Sequence, residues 1–246
     1  MSGHSKWANI RRTKGKTDAA RGQTFTKIGR EIAVAVKAGG PDPNTNSKLK
    51  DVISKAKKNN MPNDTIQRSI KKASGEINSI NYEEITYEGY GIAGSAVIVK
   101  CLTDNKNRSA GDVRHAFDKF GGSLGATGCV SYMFENKGLL YLEKKPGMVE
   151  DDVIMMCLEA EAEDVVDDGD CYEIMTTPAN FSAVKEALEA QGLVFEEAAI
   201  ELVPQSTIDL TEEQLTKFMK LIDTLDELDD VQEVFHNVNL PEDDDE

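Results

Sequence analysis

Residues 47–75 read SKLKDVISKAKKNNMPNDTIQRSIKKASG, and this stretch decides the fold of the N-terminal region. Apolar residues recur three and four positions apart in each half, while lysine and arginine fill most other positions. Met61-Pro62 separates the halves, Asn63 or Asp64 can cap the second one, and Gly75 ends it. The stretch therefore predicts two short amphipathic helices, 47–59 and one from about 63 to Gly75, with basic outer faces.

A third amphipathic helix is predicted upstream, from about Ala20 to Ala38. Phe25, Ile28, Ile32, Ala35 and Val36 form its apolar stripe, and Lys27, Arg30 and Lys37 cluster on the other side. Gly39-Gly40-Pro41 ends the helix. Residues 1–18 are rich in glycine, serine, lysine and arginine, which predicts a mobile arm. The region is thus expected to be an arm followed by a basic three-helix bundle.

Charge is distributed very unevenly along the chain. The net charge is −16, with 28 basic and 44 acidic residues. Residues 1–76 carry 17 Lys/Arg against 6 Asp/Glu, or +11, and the remainder carries 11 against 38, or −27. A basic segment beside an acidic body is typical of proteins that bind nucleic acid or membrane surfaces.

Strand and helix patterns alternate after residue 79, which predicts an α+β multidomain protein. The final helix and strand match the middle region better than the unit before them, so residues 132–205 are interpreted as an insertion. The predicted elements are strands 82–87, 96–103, 129–134, 139–142, 172–176, 195–203 and 231–238, and helices 108–120, 150–164, 180–191 and 211–228. The predicted domains are 1–78, 79–131 plus 206–240, and 132–205, followed by the acidic tail 241–246.

Two glycine-rich segments resemble ligand-binding loops without meeting their requirements. Residues 89–94 match GxGxxG, but they lead into a strand pattern rather than a helix, which favours a tight turn. Residues 121–128 lack the GK[ST] ending of a phosphate-binding loop. Two interpretations fit these residues. One is a connection whose backbone needs positive φ at several positions, and the other is a backbone surface that a ligand can approach closely; the first is favoured.

Catalytic and metal-binding patterns are weak. His4, His115 and His236 lie apart, no GxSxG is present, and the acidic run 164–170 lacks calcium-loop spacing, so an acidic turn is expected there. The four cysteines form no CxxC pair and are expected to be reduced, mostly buried thiols. No enzyme activity, cofactor, metal or small-molecule substrate is predicted. The chain also shows neither a secretory signal nor a membrane span, so a cytoplasmic protein is expected.

The basic region supplies the candidate nucleic-acid contacts, because lysine and arginine bind phosphates and release condensed counterions. Trp7 fits two roles equally, stacking on an unpaired base or stapling the arm to the bundle. A second phosphate contact is expected at a helix start, formed by Asn105, Lys106, Asn107 and Arg108. The candidates in the basic region are Lys6, Trp7, Arg11, Arg12, Lys14, Lys16, Arg21, Lys27, Arg30, Lys55, Lys57, Lys58, Arg68, Lys71 and Lys72.

Several blocks in order closely resemble the YebC/PmpR family of probable transcriptional regulators. They are GHSKWANI, RGQTFTKIGREI, KAKKNNMPNDTIQRSIKKASG, YEEITYEGYG, LTDNKNRSAGDVRHAF, GGSLGATGCVSYMFENKG and DDVQEVFHNVNL. The resemblance covers essentially the whole chain. It implies a helical N-terminal domain, a middle α/β domain with a ferredoxin-like domain inserted, and a cytoplasmic bacterial protein that binds DNA and regulates transcription. Cys129 departs from the small hydroxyl residue of many relatives.

A second function class stays open beside DNA binding. A mitochondrial branch of the family acts in translation, and members are linked to ribosomes stalled on proline-rich sequences. Lysine-heavy helices suit phosphates better than bases, and an acidic body repels a long duplex, which favours structured RNA such as rRNA or tRNA. The usual family description favours DNA. A scaffold whose acidic domain binds a basic protein is a weaker third possibility.

Overall fold

The computed structural model describes residues 18–75 and 80–240. The described residues form two compact units, the first made of 18–130 with 211–234 and the second of 131–210 with 235–240. The predicted arm and the acidic tail 241–246 lie outside the described residues, apart from the arm's last position. The fold is α+β.

Helices and strands alternate after an all-helical start. In chain order they are α1 (Asp18–Gly39), α2 (Ser47–Lys58), α3 (Asn63–Ser74), β1 (Glu83–Tyr90), β2 (Ala96–Thr103), α4 (Lys106–Lys119), β3 (Ser123–Leu124), β4 (Phe134–Glu143), α5 (Glu150–Glu159), β5 (Asp164–Asp168), β6 (Cys171–Thr176), α6 (Phe181–Ala190), β7 (Glu197–Pro204), α7 (Glu212–Asp226) and β8 (Val231–His236).

Helices α1, α2 and α3 pack into a bundle around one apolar core, as the stripes predicted. Ile28, Ile32, Leu49 and Ile66 are each at most 2% exposed in that core. Asn46 fixes the start of α2, because its Oδ1 accepts from the Leu49 N–H at 3.0 Å and its Nδ2 donates to the Ala35 carbonyl at 2.7 Å. One side chain thus caps α2 and ties it to the preceding helix.

The sheet of the first unit has the strand order β3-β1-β2-β8. Strands β1 and β2 pair antiparallel along their whole length, from Glu83 opposite Thr103 to Tyr90 opposite Ala96. Between them the segment matching GxGxxG makes a tight connection in which Ala93 and Gly94 have positive φ. The predicted turn between strands is therefore confirmed, with residues 91–95 as the connection and Gly89 and Tyr90 as the end of β1.

The second unit runs strand-helix-strand-strand-helix-strand, with the sheet order β5-β6-β4-β7 and every neighbouring pair antiparallel. Helices α5 and α6 bury Val153, Cys157, Val184 and Leu188 against one face of this sheet. Leu140 and Leu142 of β4 supply the opposing surface, because alternate residues of a strand lie on the same face of the sheet. The helices thus share one face of the sheet.

One predicted element of the second unit is wrong, and another is longer than predicted. Residues Ser131–Met133 form a single helical turn instead of a strand. The strand predicted over 139–142 is confirmed, but β4 begins at Phe134 and runs through Gly138. A Cβ at Gly138 would collide with Thr176 Oγ1 and the Phe181 ring, so glycine permits close packing inside the strand.

The helix predicted over 150–164 also ends early. Glu161 adopts φ +62°, and the Ala162 N–H donates to the Cys157 carbonyl at 2.9 Å, which closes the helix after Glu159. Residues 164–168 then form β5, with Gly169 at φ +68° in the turn to β6. The acidic run expected to be a turn is therefore mostly strand.

No helix among residues 18–75 and 80–240 is both long enough and apolar enough to span a membrane.

Candidate nucleic-acid interface

Helices α2 and α3 expose a basic surface opposite the bundle core. The two helices together hold eight Lys/Arg and two Asp, a charge of +6. Leu49, Val52 and Ile66 point into the core, and the basic side chains cover the remaining faces. The exposed basic residues of this surface, called the basic face below, are Lys48, Lys50, Lys55, Lys57, Lys58, Arg68, Lys71 and Lys72.

Ion pairs occupy two lysines at the border of the basic face. Lys55 Nζ lies 2.8 Å from Glu31 Oε1, and Lys48 Nζ lies 3.6 Å from Glu84 Oε1. Such surface pairs contribute little stability, typically below about 1 kcal/mol. The basic face therefore keeps its high positive charge, with only weakly held counter-ions at these two lysines.

Lys27 and Arg30 of α1 do not join the basic face. The expectation that they point outward is wrong, because this side of α1 packs against the sheet part of the first unit. Lys27 Nζ donates to the Asp226 carbonyl at 2.8 Å, at the end of α7, where helix carbonyls lack partners within the helix. The Arg30 side chain is only 13% exposed and pairs with Asp230.

Asp230 collects four side-chain donors from three different parts of the first unit. Arg30 Nη1 donates to its Oδ1, Ser109 Oγ and Thr103 Oγ1 donate to its Oδ2 at 2.5 and 2.9 Å, and Arg108 Nη2 donates to both oxygens. The sheet adds a fifth contact, since the Leu102 N–H donates to the Asp230 carbonyl at 2.7 Å. Asp230 thus joins α1, α4 and β2.

The donors also set the ionisation of Asp230. Burial alone raises its pKa, but the hydrogen bonds from Ser109, Arg30, Arg108 and Thr103 outweigh burial and lower the pKa to about 2. The carboxylate is therefore charged at every physiological pH. The sequence analysis did not identify Asp230, because nothing in the local sequence distinguishes it from its neighbour Asp229.

The predicted second contact at the start of α4 is built differently from a phosphate site. Asn105 Oδ1 accepts from the N–H groups of Asn107 and Arg108, both at 3.2 Å, so the side chain caps the helix itself. Lys106 pairs with Glu83 at 2.5 Å, and Arg108 bridges Asp104 and Asp230. Asn107 is exposed. Helix capping and ion pairing already use most of these groups.

The glycine loop 121–128 holds a carboxylate of the chain itself. Glu88 on β1 is 4% exposed, and its two oxygens accept from the N–H groups of Gly128 at 2.8 Å and Val130 at 3.0 Å. Gly121 and Gly128 have φ of +80° and +90°, which confirms the predicted connection with positive φ. The loop binds Glu88 with backbone groups of the type that cradle anions elsewhere.

The thiols are poor candidates for nucleophiles. All four cysteines are free, and Cys101, Cys157 and Cys171 are buried, as expected. Burial raises the pKa of Cys101 to about 12 and that of Cys157 to about 11. A thiol with a raised pKa carries almost no thiolate at neutral pH, so it reacts slowly.

Several predicted contacts cannot be placed in this geometry. Lys6, Trp7, Arg11, Arg12, Lys14 and Lys16 lie outside the described residues. For Arg21 only the backbone is described, within α1.

Family comparisons cover nearly the whole chain. Residues 5–76 match the family model described as the TACO1/YebC protein N-terminal domain, and residues 82–238 match that of the TACO1/YebC second and third domain. The chain belongs to the TACO1/YebC family. Residues 77–81 separate the two matched segments. They lie between the helical bundle and the first strand, where the composition changes from basic to acidic.

Relatives of the TACO1/YebC family match at high identity. A "Probable transcriptional regulatory protein" of Acetivibrio thermocellus is 60% identical over 238 residues, covering 96% of this chain and 98% of the relative. A protein of the same description from Ruminiclostridium cellulolyticum is 60% identical over 247 residues, covering both chains fully. The crystal structure of a conserved hypothetical protein from Aquifex aeolicus matches with a TM-score of 0.82 at 45% identity, covering 94% of this chain and 95% of that one.

Proposed function

We propose that this chain is a nucleic-acid-binding regulator of gene expression, acting as a DNA-binding transcriptional regulator through its basic face. One observation carries the proposal. Eight exposed basic residues cover two helices whose opposite sides close a core, with one aspartate on each helix. Phosphate contacts from such a surface give affinity by counterion release. The descriptions of the relatives as transcriptional regulators support the choice of DNA.

Helix α3 carries side chains that are suited to base edges. Gln67 and Arg68 are exposed there, beside Lys71 and Lys72. Glutamine reads adenine and arginine reads guanine in the major groove, while lysines hold the backbone. We therefore assign Gln67 and Arg68 of α3 to base contacts, and the lysines of α2 and α3 to phosphate contacts.

A translation factor that binds rRNA or tRNA and relieves stalling on proline-rich sequences is the second candidate. The observation in its favour is that lysines form seven of the eight basic-face residues, and Arg68 is the eighth. The charge of −27 after residue 76 also opposes a long duplex. Both features suit a compact, folded RNA better than extended DNA.

We also propose three domains, residues 1–78, 79–131 with 206–240, and 132–205, the last of them ferredoxin-like. The strand order β5-β6-β4-β7 with a helix after β4 and after β6 supports the ferredoxin-like assignment. The break between the matched segments, after residue 76 and before 82, supports the first boundary.

Neutralising the basic face tests the proposal. A variant with glutamine at Lys55, Lys57, Lys58, Lys71 and Lys72 should bind DNA and RNA more weakly, with a shallower dependence of log affinity on log salt. Each lost phosphate contact with duplex DNA flattens that slope by about 0.9. The matched control is Lys217→Gln with Lys220→Gln on α7, two exposed lysines outside the face. Unchanged affinity and slope in the five-site variant would contradict the proposal.

Crosslinking in cells separates the two candidates. Sequencing of the bound nucleic acid should return promoter fragments if the chain regulates transcription. Enrichment of rRNA and tRNA without promoter DNA would defeat that assignment in favour of translation.

A further inference from the structure

Helix α5 of the second unit has an apolar outer stripe where a solvated helix normally carries charge. Val153 and Cys157 face the core. On the opposite side Asp151, Met155 and Leu158 follow one another at i, i+4 and i+7, so they line one side of the helix. Met155 is 56% and Leu158 62% exposed. Single exposed apolar residues are ordinary, but two neighbours on one helix face make a patch.

Two further apolar side chains lie beside one end of the same helix layer. Val149, directly before α5, is 55% exposed, and Val194, between α6 and β7, is 65% exposed. Tyr141 near the end of β4 pairs with Glu197 at the start of β7. Val149 follows β4 in the chain and Val194 precedes β7, so both valines belong to connections at the same end of the sheet. The exposed apolar positions of the helix layer therefore extend past α5 itself.

Acidic side chains predominate on the two helices of this layer. Glu150, Asp151 and Asp152 lie in the first turn of α5 and Glu159 in the last, while α5 contains no basic residue. Helix α6 adds Glu186 and Glu189 against Lys185, which lies 3.8 Å from Glu189. The two helices thus hold six acidic residues and one basic residue, a charge of −5. Such a field repels nucleic acid and attracts cations.

We propose that Met155 and Leu158, with the acidic residues of α5, form a docking surface for a basic amphipathic helix of a protein partner. Apolar anchors of that helix cover Met155 and Leu158, and its Lys or Arg side chains meet Asp151, Asp152 and Glu159. Methionine suits such a surface because its flexible thioether adapts to differently shaped anchors. An amphipathic helix binds an apolar surface through anchors of its own spaced three and four positions apart, which can cover two apolar side chains three positions apart on α5.

A second copy of the chain fits this surface less well. The basic faces of α2 and α3 supply the charge, but no large apolar residue of these two helices is exposed. The complement must combine leucine-like anchors with lysine or arginine on one helix. This assignment goes beyond the proposed nucleic-acid function and uses a different surface.

Binding of a synthetic peptide to the full chain tests the proposal. The probe is an amphipathic helix with leucine on one face and lysine on the other, and the control peptide has the same composition in an order that forms no apolar face. We expect the probe to bind and the control peptide to bind at least about tenfold more weakly, as loss of a buried anchor costs 1.4 kcal/mol or more. Equal binding of both peptides would show charge attraction alone and overturn the proposal.

Variants locate the binding site. Met155→Ser with Leu158→Ser should weaken the probe about tenfold or more, and Asp151→Asn with Asp152→Asn should weaken it and flatten its salt dependence. The control is Ile200→Ser on β7, an exposed apolar position outside this surface. Unchanged affinity in the serine variant overturns the assignment, as does self-association of the wild-type chain that this variant abolishes. Nucleic-acid affinity should be the same in the serine variant and the wild type, so this proposal and the proposed function fail separately.

Discussion

The guanidinium of Arg30 and the carboxylate of Asp230 form an ion pair across 200 residues of sequence, with their side chains 13% and 8% exposed. The pair fastens α1 of the helical bundle to the segment between α7 and β8. Lys27 supports it one turn away through the Asp226 carbonyl. A residue type that suggested nucleic-acid contact in the sequence instead holds the first unit together.

Asp230→Asn should lower the free energy of unfolding by about 3 kcal/mol, because Arg30 would keep a buried charge without its counter-ion. Urea denaturation of the full chain measures the change. Asp229→Asn is the matched control, since Asp229 is exposed and adjacent; it should change the unfolding free energy by less than about 0.5 kcal/mol. Equal effects of the two variants would contradict the role of Asp230.

Acid should remove the contribution of Asp230. Its pKa is lowered from 3.8 to about 2, so its stabilisation is complete above about pH 4 and is lost as the pH falls toward 2. The loss amounts to about 2 kcal/mol on the scale of 1.36 kcal/mol per pKa unit. Unfolding free energies of the wild type and of Asp230→Asn, measured from pH 6 to 2, should therefore converge at the acid end by about that amount. Parallel curves would argue against a charged Asp230 in the native state.

Lys27 and Lys57 should respond in opposite ways to the same substitution. Lys27→Met loses the hydrogen bond to the Asp226 carbonyl, so it should cost about 1 kcal/mol of stability and leave the salt dependence of nucleic-acid binding unchanged. Lys57→Met should leave stability within about 0.5 kcal/mol and flatten the salt slope by about 0.9. Denaturation and binding titrations on both variants check this. A shallower salt dependence of nucleic-acid binding in Lys27→Met would contradict this and show that Lys27 contacts nucleic acid.

Two glycines should differ in the sign of their response to alanine. At Gly138 the added Cβ meets Thr176 Oγ1 and the Phe181 ring, so Gly138→Ala should destabilise the chain by about 1–3 kcal/mol through overpacking. At Gly111 in α4 the Cβ meets nothing within 4 Å. Alanine is the better helix former, so Gly111→Ala should stabilise by about 0.5–1 kcal/mol. Thermal unfolding of both variants measures the two stability changes. A shift of the melting temperature in the same direction in both would contradict this prediction.

The helical bundle was predictable because its apolar residues follow a helical period over three helices. Ile32 and Leu49 are buried for the reason that their spacing indicated. The same period cannot tell what the polar side of a helix faces. Lys27 and Arg30 meet groups that lie about 200 positions away, and no local pattern contains that contact.

The errors in the second unit arose at element ends. The strand β4 begins five residues before the predicted strand and includes Gly138, where the close approach of Thr176 and of Phe181 on α6 leaves no room for a side chain. The buried Glu88 was equally hidden, since an acidic residue on a strand gives no sign that a loop some 40 positions later will hold it. These features depend on tertiary contacts, so they lie beyond any reading of local spacing.

The separation between Arg30 and Asp230 along the chain also determines the order in which parts of the first unit can fold during synthesis. The core of the bundle is complete once α3 has emerged, whereas Asp230 is made 200 residues after Arg30. The chain adds 156 residues between Ser74, where α3 ends, and Asp230, so at roughly 5–20 residues per second the bundle core is complete about 8–31 s before this partner is made. Throughout that interval the Arg30 guanidinium lacks the carboxylate that it pairs with in the folded chain, so the bundle core forms before the contact that fastens α1 to the rest of the first unit.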